Sequence, residues 1–415
     1  MIRYISIVAI LLFNSATFAQ TLDEYFGIAA ENNPGLHSAY KEYEAALQRV
    51  PQVSALSDPI LSFGFFISQL ETRVGPQQAR FSLTQLFPWF GTLKAQGNLA
   101  TLIAEAKFQN FIDKRNKLYL QVASAYYPLF ELKDWVRIEQ KNIDILQSYK
   151  VIVNQRFKSG NGSMVDVLRV DILLKEALTN LDILKEKEKP LLTRFNKLLN
   201  RPENDSVVLN DKLRAEIISE VNKVGLLIAG NPKLKALDLK YQASQTSELV
   251  ALKQGMPKFG VGLDYVLVGE RTDISMPDNG KNVLMPMVSV SIPFFRAKYN
   301  ASVKEARLLQ ESYTLQKQET MNTLISEYEM AWFQVQEQSK LISLYEQQIM
   351  TSEQSLELLF ASYGNSGTEF EEVLRMQQQL LQYQKMKTTA LVKQILAIEN
   401  INYIMSNTNY NEITR

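Results

Sequence analysis

The sequence predicts a mainly α-helical protein with a small β part, in which one structural unit occurs twice. Three observations support this prediction: motifs that recur along the 415 residues, long segments with few helix breakers, and four short segments in which apolar and polar residues alternate. The chain is 46% hydrophobic and 21% charged, so it has enough apolar side chains for a sizeable core.

Residues 1–19 have the pattern of a signal peptide. Arg3 supplies the positive charge, residues 5–13 form a short apolar run, and Thr17 and Ala19 place small residues at the −3 and −1 positions. We therefore expect cleavage between Ala19 and Gln20. A buried N-terminal helix is the alternative interpretation.

Three pairs of matching motifs indicate a duplicated unit. The sequence contains Asn33-Pro34 and Asn231-Pro232, Pro88-Trp89-Phe90 and Pro293-Phe294-Phe295, and Val167-Leu168-Arg169 and Val373-Leu374-Arg375, at offsets of 198, 205 and 206 residues. Near-equal offsets along the whole chain are typical of duplication. We predict a first repeat over residues 20–205 and a second over residues 206–410.

Each repeat is predicted to contain a pair of strands, at about 59–68 and 80–88 in the first repeat and 258–268 and 283–293 in the second. The strands alternate apolar residues with small or polar ones, as half-buried strands do. The apolar positions that we expect to share one face, and to face lipid, include Leu61, Phe63, Phe65, Val261 and Leu263.

The remaining length of each repeat predicts a long helical hairpin, at about 95–200 and 298–406. Residues 97–157 alone would form roughly 90 Å of helix. Heptad-like spacing of apolar residues beside many charged ones predicts coiled-coil packing against partner helices. Pro128 and Pro190 should kink or divide the helices of the first hairpin.

The two hairpins turn at similar motifs that contain glycine. The first turn has Gly160 and Gly162 followed by Ser163, which suits a helix N-cap, and the second has Gly364 and Gly367. Together with the repeat, the strands and the signal peptide, these turns resemble those of the TolC family of outer-membrane efflux proteins. The resemblance extends over nearly the whole mature chain. Residues 71–88 look like the copper and silver efflux branch of that family, whose members are CusC-like.

The resemblance implies a homotrimer in which each chain gives four strands to one twelve-stranded β-barrel in the outer membrane. The helices would continue through the periplasm as a tunnel. The turns, with Gly160, Gly162, Gly364 and Gly367, would contact a periplasmic adaptor protein, which connects to an inner-membrane pump of the RND type. Four strands leave open edges that lipid does not tolerate, so one chain could not close a barrel alone.

The resemblance also implies a periplasmic constriction at the second turn. Glu372 falls on an acidic position of the family motif, and Arg375 falls where some members carry a second acid. Asp166 and Arg169 occupy the equivalent places in the first repeat. Positions i and i+3 share a helix face, so these residues predict a gate with both signs of charge. A solvated surface pair is the alternative.

Several function classes are disfavoured by composition. The formal net charge of +1 argues against a nucleic-acid partner. The chain has no cysteine, and His37 is its only histidine, so thiolate ligands and multi-histidine metal sites within one chain are excluded. His37 lies beside a predicted helix start, where a surface or packing role is expected. We expect no enzyme activity, no cofactor and no metal site, and a passive exit duct for small molecules or metal ions. A type I protein-secretion duct and a non-transporting structural coiled-coil protein of the envelope are the alternatives.

Overall fold

The structure is a computed structural model that describes residues 22–209, 213, 225, 228–273, 275–364 and 369–406. The expected signal peptide, its cleavage site and Gly367 lie outside the described residues.

The first repeat contains five helices and two strands among the described residues. They are α1 (Leu22–Asn32), α2 (Pro34–Leu47), α3 (Arg49–Ser54), β1 (Ile60–Thr72), β2 (Gly75–Phe87), α4 (Thr92–Lys158) and α5 (Met164–Leu198). The described part of the second repeat has the same order of strands and long helices: α6 (Pro232–Gln254), β3 (Lys258–Val268), β4 (Val283–Ser291), α7 (Ala297–Gly364) and α8 (Phe370–Met405). The predicted fold class, mainly α with a small β part in a duplicated unit, is confirmed.

The first two strands extend further than the alternating segments indicate. β1 continues to Thr72 rather than ending near residue 68, and β2 begins at Gly75 rather than near residue 80. The Thr72 hydroxyl donates to the carbonyl oxygen of Gly75 at 2.6 Å, and Gly75 has φ +132°, a backbone conformation that suits glycine. The hairpin therefore turns at residues 73 and 74. β4 ends at Ser291, two residues before the expected position.

The four strands form one antiparallel sheet in the order β1-β2-β3-β4. β2 pairs with β3 over most of its length, with Phe81 opposite Tyr265 and Leu83 opposite Leu263. The strand pairs of the two repeats therefore meet where β2 pairs with β3, in the centre of the sheet, and β1 and β4 are its edges.

The two longest helices are 67 and 68 residues long and occupy equivalent places in the two repeats. The two prolines were expected to kink or divide the helices of the first hairpin. α4 continues through Pro128 and α5 through Pro190, so neither helix is divided. A proline removes one backbone donor, and the many remaining bonds of a long helix keep it continuous. No helix among the described residues is both long and apolar enough to cross a membrane.

The chain divides into two compact units. One comprises residues 1–34, 115–224 and 326–415, and the other residues 35–114 and 225–325. The second unit contains the sheet. The first unit contains both helical turns, and its core there is an apolar cluster from α4, α5, α7 and α8 that includes Ile143, Leu146, Tyr149, Val153, Val167, Val170, Ala177, Leu181, Tyr363, Phe370, Val373 and Leu374.

Candidate functional site

One face of the sheet is apolar across all four strands. Directly paired residues share a face, and Phe63 pairs with Phe81, Phe81 with Tyr265, and Tyr265 with Leu284. The rings of Phe63 and Phe81 lie 5.0 Å apart. The same face carries the other expected lipid-facing residues, Leu61, Phe65, Val261 and Leu263, of which Phe65 is 66% exposed. An exposed apolar surface of this breadth indicates a membrane or protein contact.

The opposite face of the sheet carries many small and polar side chains, with a few apolar ones, such as Val266, Val283 and Met285, among them. Ser62 pairs with Ser82, and Ser82 pairs with Asp264. The Asp264 side chain is fully buried and forms an ion pair with Arg80, which is 45% exposed. A buried carboxylate needs such a partner, because leaving it alone would cost several kcal/mol in desolvation, on the order found for buried ions. Sequence reasoning did not identify this pair, since its two residues are separated by 184 positions.

The first helical turn has the geometry of a Schellman cap. Gly160 has φ +79°, the Asn161 amide donates to the Arg156 carbonyl at 2.9 Å, and the Gly160 amide donates to the Phe157 carbonyl at 3.1 Å. The Ser163 hydroxyl then accepts from the Val165 amide at 3.1 Å and begins α5. These bonds satisfy backbone groups that the ends of both helices would otherwise leave free.

The two turns are joined within the chain through Arg156. Its guanidinium lies 4.2 Å from the centre of the Tyr363 ring and donates to the Tyr363 carbonyl oxygen. The Tyr363 ring packs against Phe370 at 4.8 Å. Burial raises the pKa of the Tyr363 hydroxyl, and the positive charge of Arg156 partly opposes that rise. The hydroxyl therefore stays neutral at physiological pH, and the contact is a cation–π interaction rather than an ion pair.

The four residues predicted to form a gate lie in the first two turns of α5 and α8. Glu372 and Arg375 form an ion pair on α8. Asp166 and Arg169 are 3.8 Å apart on α5, and Arg169 also binds Glu371 at 2.8 Å. Arg169 thus connects the two repeats. Glu371 was not among the sequence candidates, although the two consecutive acids at the start of α8 were a signal for it.

The equivalent turns differ in two respects. Ser163 caps α5 with its side chain, whereas Glu369, its counterpart before α8, makes no side-chain cap bond. Leu168 is 50% exposed on α5, whereas its counterpart Leu374 is 4% exposed. The two repeats therefore present different surfaces at the same structural position.

The glycines expected to contact an adaptor have different surroundings. A Cβ atom on Gly160 or Gly364 would meet no atom of the described residues within 4 Å apart from its own chain neighbours, whereas one on Gly162 would come 3.0 Å from the Arg156 Cβ. Gly162 is therefore required by local packing. Contact of these glycines with an adaptor remains a prediction. Within the described part of the chain, no group of three or more His, Cys, Asp or Glu residues could hold a metal ion.

Gly160→Ala should weaken the first turn, because an alanine in the left-handed conformation costs roughly 1–2 kcal/mol. Hydrogen exchange of the Asn161 amide, whose bond closes the cap, should become faster by about fivefold or more. Gly364→Ala is the matched control, since Gly364 is the last residue of α7 and a Cβ there would not be crowded by any residue that the structure describes. Equal exchange rates in both variants and the parent would contradict the cap assignment.

Several solved structures share this arrangement of elements. VceC from Vibrio cholerae, an outer membrane protein, is 15% identical, with a TM-score of 0.74 over 92% of this chain and 95% of VceC. CusC, described in terms of transmembrane channel formation, is 14% identical, with a TM-score of 0.75 over 92% and 91%. The Neisseria gonorrhoeae MtrE outer membrane channel is 14% identical, with a TM-score of 0.72 over 92% and 88%.

No protein-family model matches the sequence, and no curated protein matches it. Identities of this size establish the fold, and the matches extend over nearly the full length of both chains. The chain therefore has the fold of the TolC-family outer-membrane channels, the family that its repeat and turn motifs resemble.

Proposed function

We propose that this chain is one subunit of a homotrimeric channel in the bacterial outer membrane, through which solutes leave the periplasm. The observation that carries the proposal is the two-faced sheet, which is apolar on one side and more polar on the other, with β1 and β4 as open edges. A membrane-inserted sheet must close on itself, because unpaired edge groups are costly in lipid. Pairing β4 of one copy with β1 of the next satisfies both edges, and three copies complete a twelve-stranded barrel.

The long helices supply the periplasmic part of this channel. A barrel strand pair leads into α4 in the first repeat and into α7 in the second, so each repeat contributes one long hairpin to the wall of a tunnel. The turns at the far end of these hairpins are the natural contact for a periplasmic adaptor protein. Through that adaptor the channel would serve an inner-membrane pump, for which the RND type is our proposal.

The gate that we propose lies in the first two turns of α8 and α5. Three copies of Glu372 and Arg375 would form two rings of opposite charge, and Arg169 would hold Glu371 and Asp166 in the same region. Such rings concentrate one sign of ion and repel the other. The ion pair between Arg169 and Glu371 connects α5 to α8, so it would hold the two helices of the constriction together.

Two further points define the proposed activity. The fold is shared with proteins that are channels, which supports a passive role without catalysis and favours transport over a purely structural coiled coil. The TM-scores for CusC, VceC and MtrE differ by at most 0.03, so the fold does not favour the copper and silver branch over the others. We propose efflux of small molecules or metal ions, with protein secretion as the alternative substrate class.

Planar-bilayer recording of the detergent-extracted protein tests the proposal. We expect a trimer that resists dissociation until heated and that forms discrete ion-conducting pores. The control is the same preparation after heat dissociation, which should not conduct. A water-soluble monomer that forms no pores would contradict the proposal.

A further inference from the structure

A cavity of about 770 Å³ lies where the sheet meets the helices of the second unit. Its walls come from the segment before β1, the end of β2, the start of α4, the end of α6, the start of β3 and the start of α7. They include Leu56, Leu86, Trp89, Lys253, Lys258 and Lys298. The lining thus combines apolar side chains with three lysines, and no carboxylate contributes to it.

None of the three lysines forms an ion pair with any residue that the structure describes. The Lys253 ammonium donates to the backbone carbonyl of Phe90 at 3.1 Å, and the Lys298 ammonium lies 4.8 Å from the centre of the Tyr299 ring. Lys258 is exposed at the start of β3. Each ammonium has three donors, so most of the donors around the cavity are free for an anionic ligand.

The positive charge is local to this region. The four segments around the cavity, residues 52–58, 86–96, 253–258 and 292–302, contain five basic residues and one acid, Asp58. The whole chain has 45 basic and 44 acidic residues. Clustered lysines with so little compensation produce a positive potential that attracts anions.

The cavity adjoins the apolar face of the sheet. The Trp89 ring lines the cavity and also stacks on Phe259, at 5.9 Å and 27°, and Phe259 pairs with Val290 on the apolar face. Phe294 and Phe295 are 80% and 88% exposed at the same end of the sheet. Exposed aromatic rings beside basic residues at the end of an apolar band are typical of the membrane–water interface.

We propose that this cavity binds the phosphate group of a membrane phospholipid, in the leaflet that faces the periplasm. Lys253, Lys258 and Lys298 contact the phosphate, and Leu56 and Trp89 contact the glycerol and the first acyl methylenes. This inference rests on the proposed membrane location. A free phosphate offers the same negative charge but leaves the apolar half of the lining unused, so it binds more weakly than the lipid.

The test is lipid binding to the purified, delipidated full-length protein in detergent, titrated with palmitoyl-oleoyl phosphatidylglycerol and measured by native mass spectrometry. The triple variant Lys253→Met, Lys258→Met, Lys298→Met should bind the lipid on the order of tenfold more weakly, because each lysine near a phosphate contributes to the affinity. The corresponding triple arginine variant keeps the charge and should bind almost as the parent does. The matched control is Lys114→Met, Lys235→Met, Lys304→Met, which removes three exposed lysines of the same unit outside the cavity and should leave binding unchanged.

Two results would overturn the proposal. Lipid affinity that is equal in the cavity variant and the parent would show that the lysines do not bind the headgroup. Glycerophosphate that binds the parent as tightly as the lipid would show a site for soluble anions instead. Conductance of the same preparations separates the failure of the lipid site from the failure of the channel. If the parent forms pores but the cavity variant binds lipid as the parent does, only the lipid site is contradicted. A parent protein that forms no pores would contradict the proposed function.

Discussion

Phe63→Lys is expected to remove most of the folded, membrane-inserted protein. Phe63 lies on the apolar face, is 64% exposed, and packs against Phe81 of the neighbouring strand. A lysine facing hydrocarbon near the membrane centre costs about 2–4 kcal/mol, and a trimer would carry that cost three times. The measurement is the yield of heat-dissociable trimer in the outer-membrane fraction, compared with total protein.

Ser62→Lys is the matched control for this prediction. Ser62 is adjacent in sequence but lies on the opposite, polar face, where it pairs with Ser82. A lysine there would face the barrel interior, so the yield should stay close to that of the parent. Phe63→Leu, which keeps an apolar side chain, should also insert. If Ser62→Lys and Phe63→Lys lower the yield equally, the two faces have been assigned wrongly.

The second large effect is expected at the proposed gate. Arg375→Ala leaves the Glu372 carboxylates without their partner, so the reversal potential in a salt gradient should shift towards cation selectivity. Glu372→Ala should shift it towards anion selectivity. Both variants lose the ion pair on α8, so both should raise single-channel conductance. The shifts should shrink at 1 M salt, where the screening length is roughly 3 Å.

Lys41→Ala and Glu44→Ala are suitable controls for the gate variants. These residues form an exposed ion pair with the same i,i+3 spacing on α2, so they reproduce the change in charge at another place. We expect both controls to keep the reversal potential of the parent. If the Glu372 and Arg375 variants also match the parent, the narrowest part of the tunnel lies at other residues.

The fold could be predicted from the sequence because its signals are periodic or repeated. The alternation of Leu61, Phe63 and Phe65 with small residues specifies a strand face, and motif pairs such as Asn33-Pro34 and Asn231-Pro232 place the duplication. The strand ends near Thr72 and Gly75 were less predictable, because a hairpin turn of two residues can sit within a segment whose composition is typical of a loop.

The candidate site was predictable only where its residues are neighbours in sequence. Glu372 and Arg375 are three positions apart on one helix, so their pairing follows from helix geometry. Arg80 with Asp264 and Arg169 with Glu371 come from distant parts of the chain, and only the tertiary structure brings them together. The cavity lysines are similarly dispersed, between residues 253 and 298, and have no common motif.

The difference between the two turns limits the symmetry of the proposed assembly. Three copies of a chain with two repeats place six hairpins around one axis, but Leu168 and Leu374 occupy the same position with opposite exposure. The proposed ring would therefore be threefold rather than sixfold, and its hairpins would alternate between two kinds. An artificial chain made of two first repeats would restore the higher symmetry, yet it would lose Glu371 and with it the bond that joins one hairpin to the next within each chain. The two repeats are thus joined by a contact to which each contributes a different residue.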